Sequence, residues 1–227
     1  MKDALIGLFP ATEYEARLRK VVAEMQTHNV DALILTSDEN TFYFSGFRSI
    51  VWCSKVSTPG VVVITADGSI ALATTVGGQH TARATGSVED IRCYGKADGA
   101  YATYIGAIVS LLEEKHLLQG RIGLEFGTGH KMHLNHDLSE ELFGALSGAE
   151  LVDAAALLWA VRSIKSPLEI AALRKACQIN SQAIEHGFGQ IQAGSSELDL
   201  NMHIMREYFR LGSEASLTLG IRAGADR

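Results

Sequence analysis

Paired cysteines are missing from this sequence. The three Cys, at 53, 93 and 177, form no CxxC pair and no even-numbered framework. That excludes a disulfide scaffold and points to buried or free thiols in a reducing compartment. Positive charge is short: 20 Lys and Arg face 26 Asp and Glu, a formal net charge of −6. Nucleic-acid affinity rests largely on Lys and Arg, so a broad phosphate-binding surface is excluded. No apolar run approaches the roughly 20 residues a membrane helix needs. The opening MKDALIGLFPATEYEARL has one Lys, then acids, and no long apolar core. It does not read as a signal peptide, and with unpaired thiols it leads us to expect a cytoplasmic protein. Gly77-Gly78 and Gly127-x-Gly129 lack the spacing of GxGxxG or Walker loops. Ser45-Gly46 and Ser195-Ser196 form no nucleophile elbow.

What is present is an ordinary globular balance, with 47% hydrophobic and 20% charged residues in a chain long enough for one large domain, or one domain and part of another. Thr12 and Glu15 form a capping box that predicts a helix to about His28, with Leu18, Val21, Val22 and Met25 inward. Asp31–Thr36 reads as a buried central strand. Ser37 or Asp38 can cap a brief helix to Gly46. The runs 61–65 and 70–75 flank Asp67-Gly68, a strong hairpin signal. A short helix over 77–86 and a strand over 88–94 follow. Asp98 is expected to cap a helix to Lys115, followed by a strand at 120–125 and a helix from Ser139 to Leu146. A last strand at 150–153 precedes a short helix, capped by Asp153, that ends near Trp159. Strands alternating with helices around one hairpin predict an α/β fold, a mixed sheet with helices on both faces.

From Val161 to Gly194 the chain reads as a linker and a long helix. Ser166 can N-cap it, Pro167 fits the first helical position, and Glu169 closes a capping box. A second helix runs from Ser196 to about Leu211, with a stripe of Leu198, Met202, Met205 and Phe209 expected in the core. Cys177 falls on the apolar side of the first helix and is expected to be a core thiol. Ser216–Arg222 reads as the start of a strand.

The run Arg162-Ser-Ile-Lys-Ser-Pro-Leu-Glu-Ile-Ala-Ala-Leu-Arg174 resembles the opening of the pita-bread metallohydrolase domain of prolidase, aminopeptidase P and creatinase. Ile191-Gln-Ala-Gly-Ser-Ser-Glu197 resembles that family's step into its second helix. Tyr43-Phe-Ser-Gly46-Phe47 resembles a further step, in the family's N-terminal domain, so the likeness covers nearly the whole chain. It implies a creatinase/prolidase-like N-terminal domain over 1–159, a linker over 160–166, and over 167–227 the first two helices of a truncated pita-bread α+β domain.

The resemblance implies two divalent ions, Mn, Co or Zn, held by two Asp, one His and two Glu. All five ligands are expected beyond Arg227: Leu217–Gly224 matches only the strand and turn that precede the first Asp, and Asp226 is not assigned as a ligand. The chain alone is therefore expected to hold no catalytic residues and no metal. It also implies a homodimer in which the loop after Gly46 helps close the partner's active site over a peptide or small-molecule substrate. Arg48, Trp52 and Lys55 are the candidates there, Trp for apolar contact and Arg or Lys for a substrate carboxylate. The plainer alternative packs Phe47 and Trp52 under the hairpin and leaves Arg48 solvated. The Phe-Gly-Arg pattern of creatinase is absent from this loop, which disfavours creatine. One other cluster competes: His130, His133 and His136, at steps of three beside Asp137, could hold Zn or Ni on a helix, although the preceding glycines favour a solvated loop. The implied function is the N-terminal portion of a metal-dependent hydrolase similar to Xaa-Pro peptidases. The alternatives are a truncated, non-catalytic interaction or dimerisation domain, or a creatinase-like or lyase relative.

Overall fold

The computed structural model describes residues 9–54, 58–213 and 221, and the chain divides into two compact units, Met1–Ile164 and Lys165–Arg227. The strand expected at 216–222 lies outside the described residues apart from Ile221, and so does Lys55.

The first unit is built on a six-stranded mixed sheet. The strands are β1 (Ala32–Leu35), β2 (Gly60–Thr65), β3 (Ile70–Thr75), β4 (Asp90–Tyr94), β5 (Arg121–Leu124) and β6 (Glu150–Asp153), in spatial order β4-β3-β2-β1-β5-β6. β1–β2 and β2–β3 are antiparallel, while β3–β4, β1–β5 and β5–β6 are parallel. Side-chain alternation along the strands feeds two cores. Leu33, Leu35, Val62 and Ile64 pack on one face beneath α1 (Ala11–Thr27), α2 (Asp38–Ser45), α3 (Gln79–Thr85) and α6 (Ala155–Ser163). Ala32, Ile34, Val61 and Val63 pack on the other beneath α4 (Tyr104–Glu114) and α5 (His136–Ala145). Both faces are covered, so β1 and β2 are buried along their whole lengths.

Several helix boundaries differ from the sequence reading. α1 starts at Ala11 with Pro10 as its N-cap and no side-chain cap, because the fixed φ of proline already leads into the first turn. Besides Val21 and Met25 it buries Arg17, whose guanidinium bonds Glu13 (3.2 Å) and the Tyr43 carbonyl (2.9 Å) and lies over the rings of Phe9 and Tyr43. α4 is capped by Thr103, which accepts from Gly106 N, and not by Asp98. Gly99, at φ 77°, turns the chain away just after Asp98. α5 begins three residues early, at His136, because Asn135 accepts from Leu138 N. Asp153 does accept from Ala155 N, but α6 continues past Trp159 to Ser163, since Val161 is buried in the core.

The second unit is a helical hairpin, α7 (Pro167–Gln190) and α8 (Glu197–Arg210). Both start on complete capping boxes, Ser166 with Glu169 and Ser196 with Asp199. The buried contact is Ala183 and Gly187 against Leu200 and Ile204; a Cβ on Gly187 would lie 2.3 Å from Ile204 Cγ1. That close approach turns a different face of α8 inward from the one expected. Met202 is 55% exposed, Leu198 69% and Phe209 56%. Cys177 is likewise exposed, because the buried residues of α7, Ala183 and Gly187, lie toward its C-terminal end.

Candidate functional site

β1 and β5 run parallel, with Ala32 opposite Ile122 and Leu33 opposite Gly123, so their carboxyl ends lie side by side. The chain leaves β1 for α2 on one face and leaves β5 for α5 on the other. Connections that diverge in this way open a crevice where α/β proteins place binding sites.

Glu125 closes that crevice from below. It follows β5 directly, is 2% exposed, and acts wholly as an acceptor. Oε2 accepts from Thr36 N (2.6 Å), Thr36 Oγ1 (3.0 Å) and Ser37 N (2.9 Å). Oε1 accepts from Ser37 Oγ (2.5 Å) and Asn40 Nδ2 (2.5 Å). A carboxylate at the start of α2 also suits the orphan N–H groups there. Asn40 carries the network onward. Its Oδ1 accepts from Arg162 (2.9 Å), which fixes Nδ2 as the donor to His130 Nδ1 (3.2 Å). His130 therefore carries its proton on Nε2, which is buried without a partner among the described residues. Its ring lies 5.0 Å from that of Trp159. Burial pushes the His130 pKa down and the Arg162 charge adds to this, while Glu125 and Asp153 oppose it. Gly129, at φ 82°, lets this loop pass over Trp159, where a Cβ would lie 2.7 Å from Cζ2.

The three histidines separate. His130 belongs to the Asn40 network, and His133 stands with Nδ1 4.0 Å from Asp38 Oδ1 and donates its backbone N–H to Thr36 Oγ1. His136 opens α5. Beside them, a hydrogen bond to the Asp38 carboxylate, which the protonated Glu39 donates, raises the Glu39 pKa, with burial adding to it. Among the described residues no group of three or more His, Cys, Asp or Glu is placed to hold a metal ion. Nor do Glu125 and His130 make an acid–base pair for a substrate: the carboxylate is saturated with donors, and the imidazole's accepting nitrogen is taken.

Of the residues expected to act over a substrate, Arg48 is exposed at 5.7 Å from the Phe42 ring centre. Trp52 is 7% exposed and meets buried Phe47 edge-on at 5.4 Å. Trp52 also lines a cavity of about 550 Å³ at the same sheet edge, bounded in addition by Tyr94, Tyr104 and the 131–135 loop. Sequence reasoning missed Glu125 and Asn40. The available signal was a Glu ending the apolar run Ile-Gly-Leu, opposite a strand that ends in Thr36-Ser37.

The creatinase/prolidase N-terminal domain model matches residues 17–164. A hydrolase/peptidase of Sinorhizobium fredii, named as uncharacterized, is 26% identical over 89% of this chain and 51% of its own length. Peptidases of Staphylococcus aureus, likewise named uncharacterized, are 23% identical over 83% of this chain and 48% of their own. The chain thus spans about half the length of the curated relatives it matches. In fold it is similar to an Xaa-Pro dipeptidase from Bacillus anthracis (TM-score 0.67, 19% identity) and a prolidase from Pyrococcus horikoshii (TM-score 0.64, 19% identity), covering 88% of this chain and 50% of each of theirs. The mixed sheet with helices on both faces and the matched domain agree: this chain belongs to the creatinase/prolidase N-terminal domain family.

Proposed function

We propose that this chain is the N-terminal portion of a metal-dependent hydrolase of the Xaa-Pro peptidase type, acting on a peptide bond before proline or a related C–N bond. In this reading the first unit caps the active site and dimerises, and the catalytic domain starts at Pro167. The observation that carries it is the family domain at 17–164 joined to two box-capped helices bearing the Arg162–Ile170 and Ile191–Glu197 motifs. Arg48, Trp52 and Lys55 are assigned to the cap. The described residues do not fit a pair of divalent ions, so no step is routed through Mn, Co or Zn in this chain.

The experiment has two arms. The 227-residue chain, given Xaa-Pro dipeptides with each metal, should show no turnover; turnover abolished by EDTA would overturn the assignment of the ligands to another region. The reading frame after Arg227 should continue through two Asp, one His and two Glu, and the extended protein should cleave Xaa-Pro substrates. A stop codon there would refute the enzyme reading and leave the dimerising module. The dimer arm of the test rests on one observation: Leu173, Phe188, Met202 and Phe209 are all more than half exposed, at 52%, 58%, 55% and 56%. Apolar patches of this kind are seldom left to water. Light scattering should give a dimer, and Phe188→Asp with Met202→Asp should disperse it.

A further inference from the structure

The cavity of about 550 Å³ at the carboxyl edge of the sheet has the size of a small-molecule site. Its walls have two characters. Trp52, the stacked pair Tyr94 and Tyr104 (ring centres 4.4 Å apart, 26° between planes), and Leu138 form an apolar, aromatic side. Tyr104 is held rigidly there, because it is buried and its hydroxyl donates to the Thr58 carbonyl at 2.9 Å. The polar side is rich in donors. Lys131 is exposed on the rim, and among the described residues its ammonium has no carboxylate partner. Asn135 uses Oδ1 to cap α5 by accepting from Leu138 N at 2.9 Å, which leaves its Nδ2 as a donor. No Asp or Glu is among the described residues that line the cavity, in a chain whose acids outnumber its bases 26 to 20.

An aromatic wall beside the spare Asn135 amide donor and the Lys131 ammonium selects an anion with an apolar body. We infer that this cavity binds a small aryl carboxylate, its ring against Trp52 and Tyr104 and its carboxylate toward Lys131 and Asn135. The site lies wholly within the first unit, and its test needs no catalysis.

The probe is 3-phenylpropionate, titrated into the 227-residue chain and followed by saturation-transfer NMR and by Trp fluorescence in a Trp159→Phe background, which leaves Trp52 as the sole indole. Saturable binding is expected. 3-Phenylpropanamide, with the same ring and no charge, should bind about tenfold more weakly, the scale of one charge-assisted hydrogen bond. Lys131→Gln should weaken the acid by about the same factor and leave the amide unchanged. Because Lys131 is exposed, this variant tests the charge without endangering the fold. Leu138→Trp, which fills the cavity, should abolish binding of both. No saturable signal at millimolar acid, equal affinity for acid and amide, or an unaltered Lys131→Gln titration would each overturn the inference.

Discussion

Replacing Glu125 by Gln changes only one oxygen to an NH2 group, yet the network gives that change one direction in which to fail. Oε2 receives two backbone N–H groups that cannot turn away, from Thr36 (2.6 Å) and Ser37 (2.9 Å). The glutamine oxygen must therefore take that side, and its NH2 must face Ser37 and Asn40. Ser37 Oγ can accept from it, but Asn40 Nδ2 is a donor, held in place because Oδ1 accepts from Arg162. One hydrogen bond becomes a donor–donor contact, and the others lose charge assistance. Charge-assisted bonds contribute about 1.5–3 kcal/mol against about 1 for neutral ones, so E125Q should cost about 2–4 kcal/mol. In a unit of this size that lowers the midpoint by roughly 5–12 °C. Both tryptophans, Trp52 and Trp159, lie in the first unit, so urea and thermal unfolding followed by indole fluorescence report on it directly. Asn40→Asp alone should be at least as damaging, since it sets two carboxylates together. The double variant N40D/E125Q restores a donor–acceptor match and keeps an oxygen for Arg162, so it should recover more than half of the loss. A change under about 0.5 kcal/mol in E125Q, or no recovery in the double variant, would refute the network as the tie between β1 and β5.

Arg17→Ala leaves Glu13 buried without its ion partner and the Tyr43 carbonyl without its donor, so urea unfolding should show a loss of about 3–5 kcal/mol; under 1 would show that the aromatic stack holds without the cation. His130 has a folded pKa below its unfolded value of about 6.5, so its contribution is complete above that pH and is lost as pH falls through it toward the folded value. His130→Gln should flatten the stability profile between about pH 7 and 5, and an unchanged slope would assign the pH dependence elsewhere. Gly187→Val drives a Cβ into Ile204, so hydrogen exchange should show lost protection of Ala183 and Ile204; protection equal to the parent's would mean α8 shifts to make room.

Much of this fold is written in short stretches. The Asp67-Gly68 turn, the Ser166 and Ser196 helix starts and the apolar run of β1 each depend on residues within a few positions, so local chemistry decides them. The family motifs at 162–170 and 191–197 are local in the same sense. Asp98 offered a cap by local chemistry, but the helix starts after Thr103, because the α4 face carrying Ile105, Ile108 and Leu112 had to meet the sheet. The inward face of α8 depended on Gly187, a residue without a side chain to mark it in a hydrophobic pattern. Glu125 looked like an ordinary strand end. It became a buried hub only when the parallel pairing of β1 and β5 brought it against Thr36 and Ser37, nearly ninety positions away, and when α6 delivered Arg162 to Asn40. The alternation of a sequence states which side chains turn inward, but the partners that make a buried charge tolerable come from other strands, and only the assembled sheet selects them.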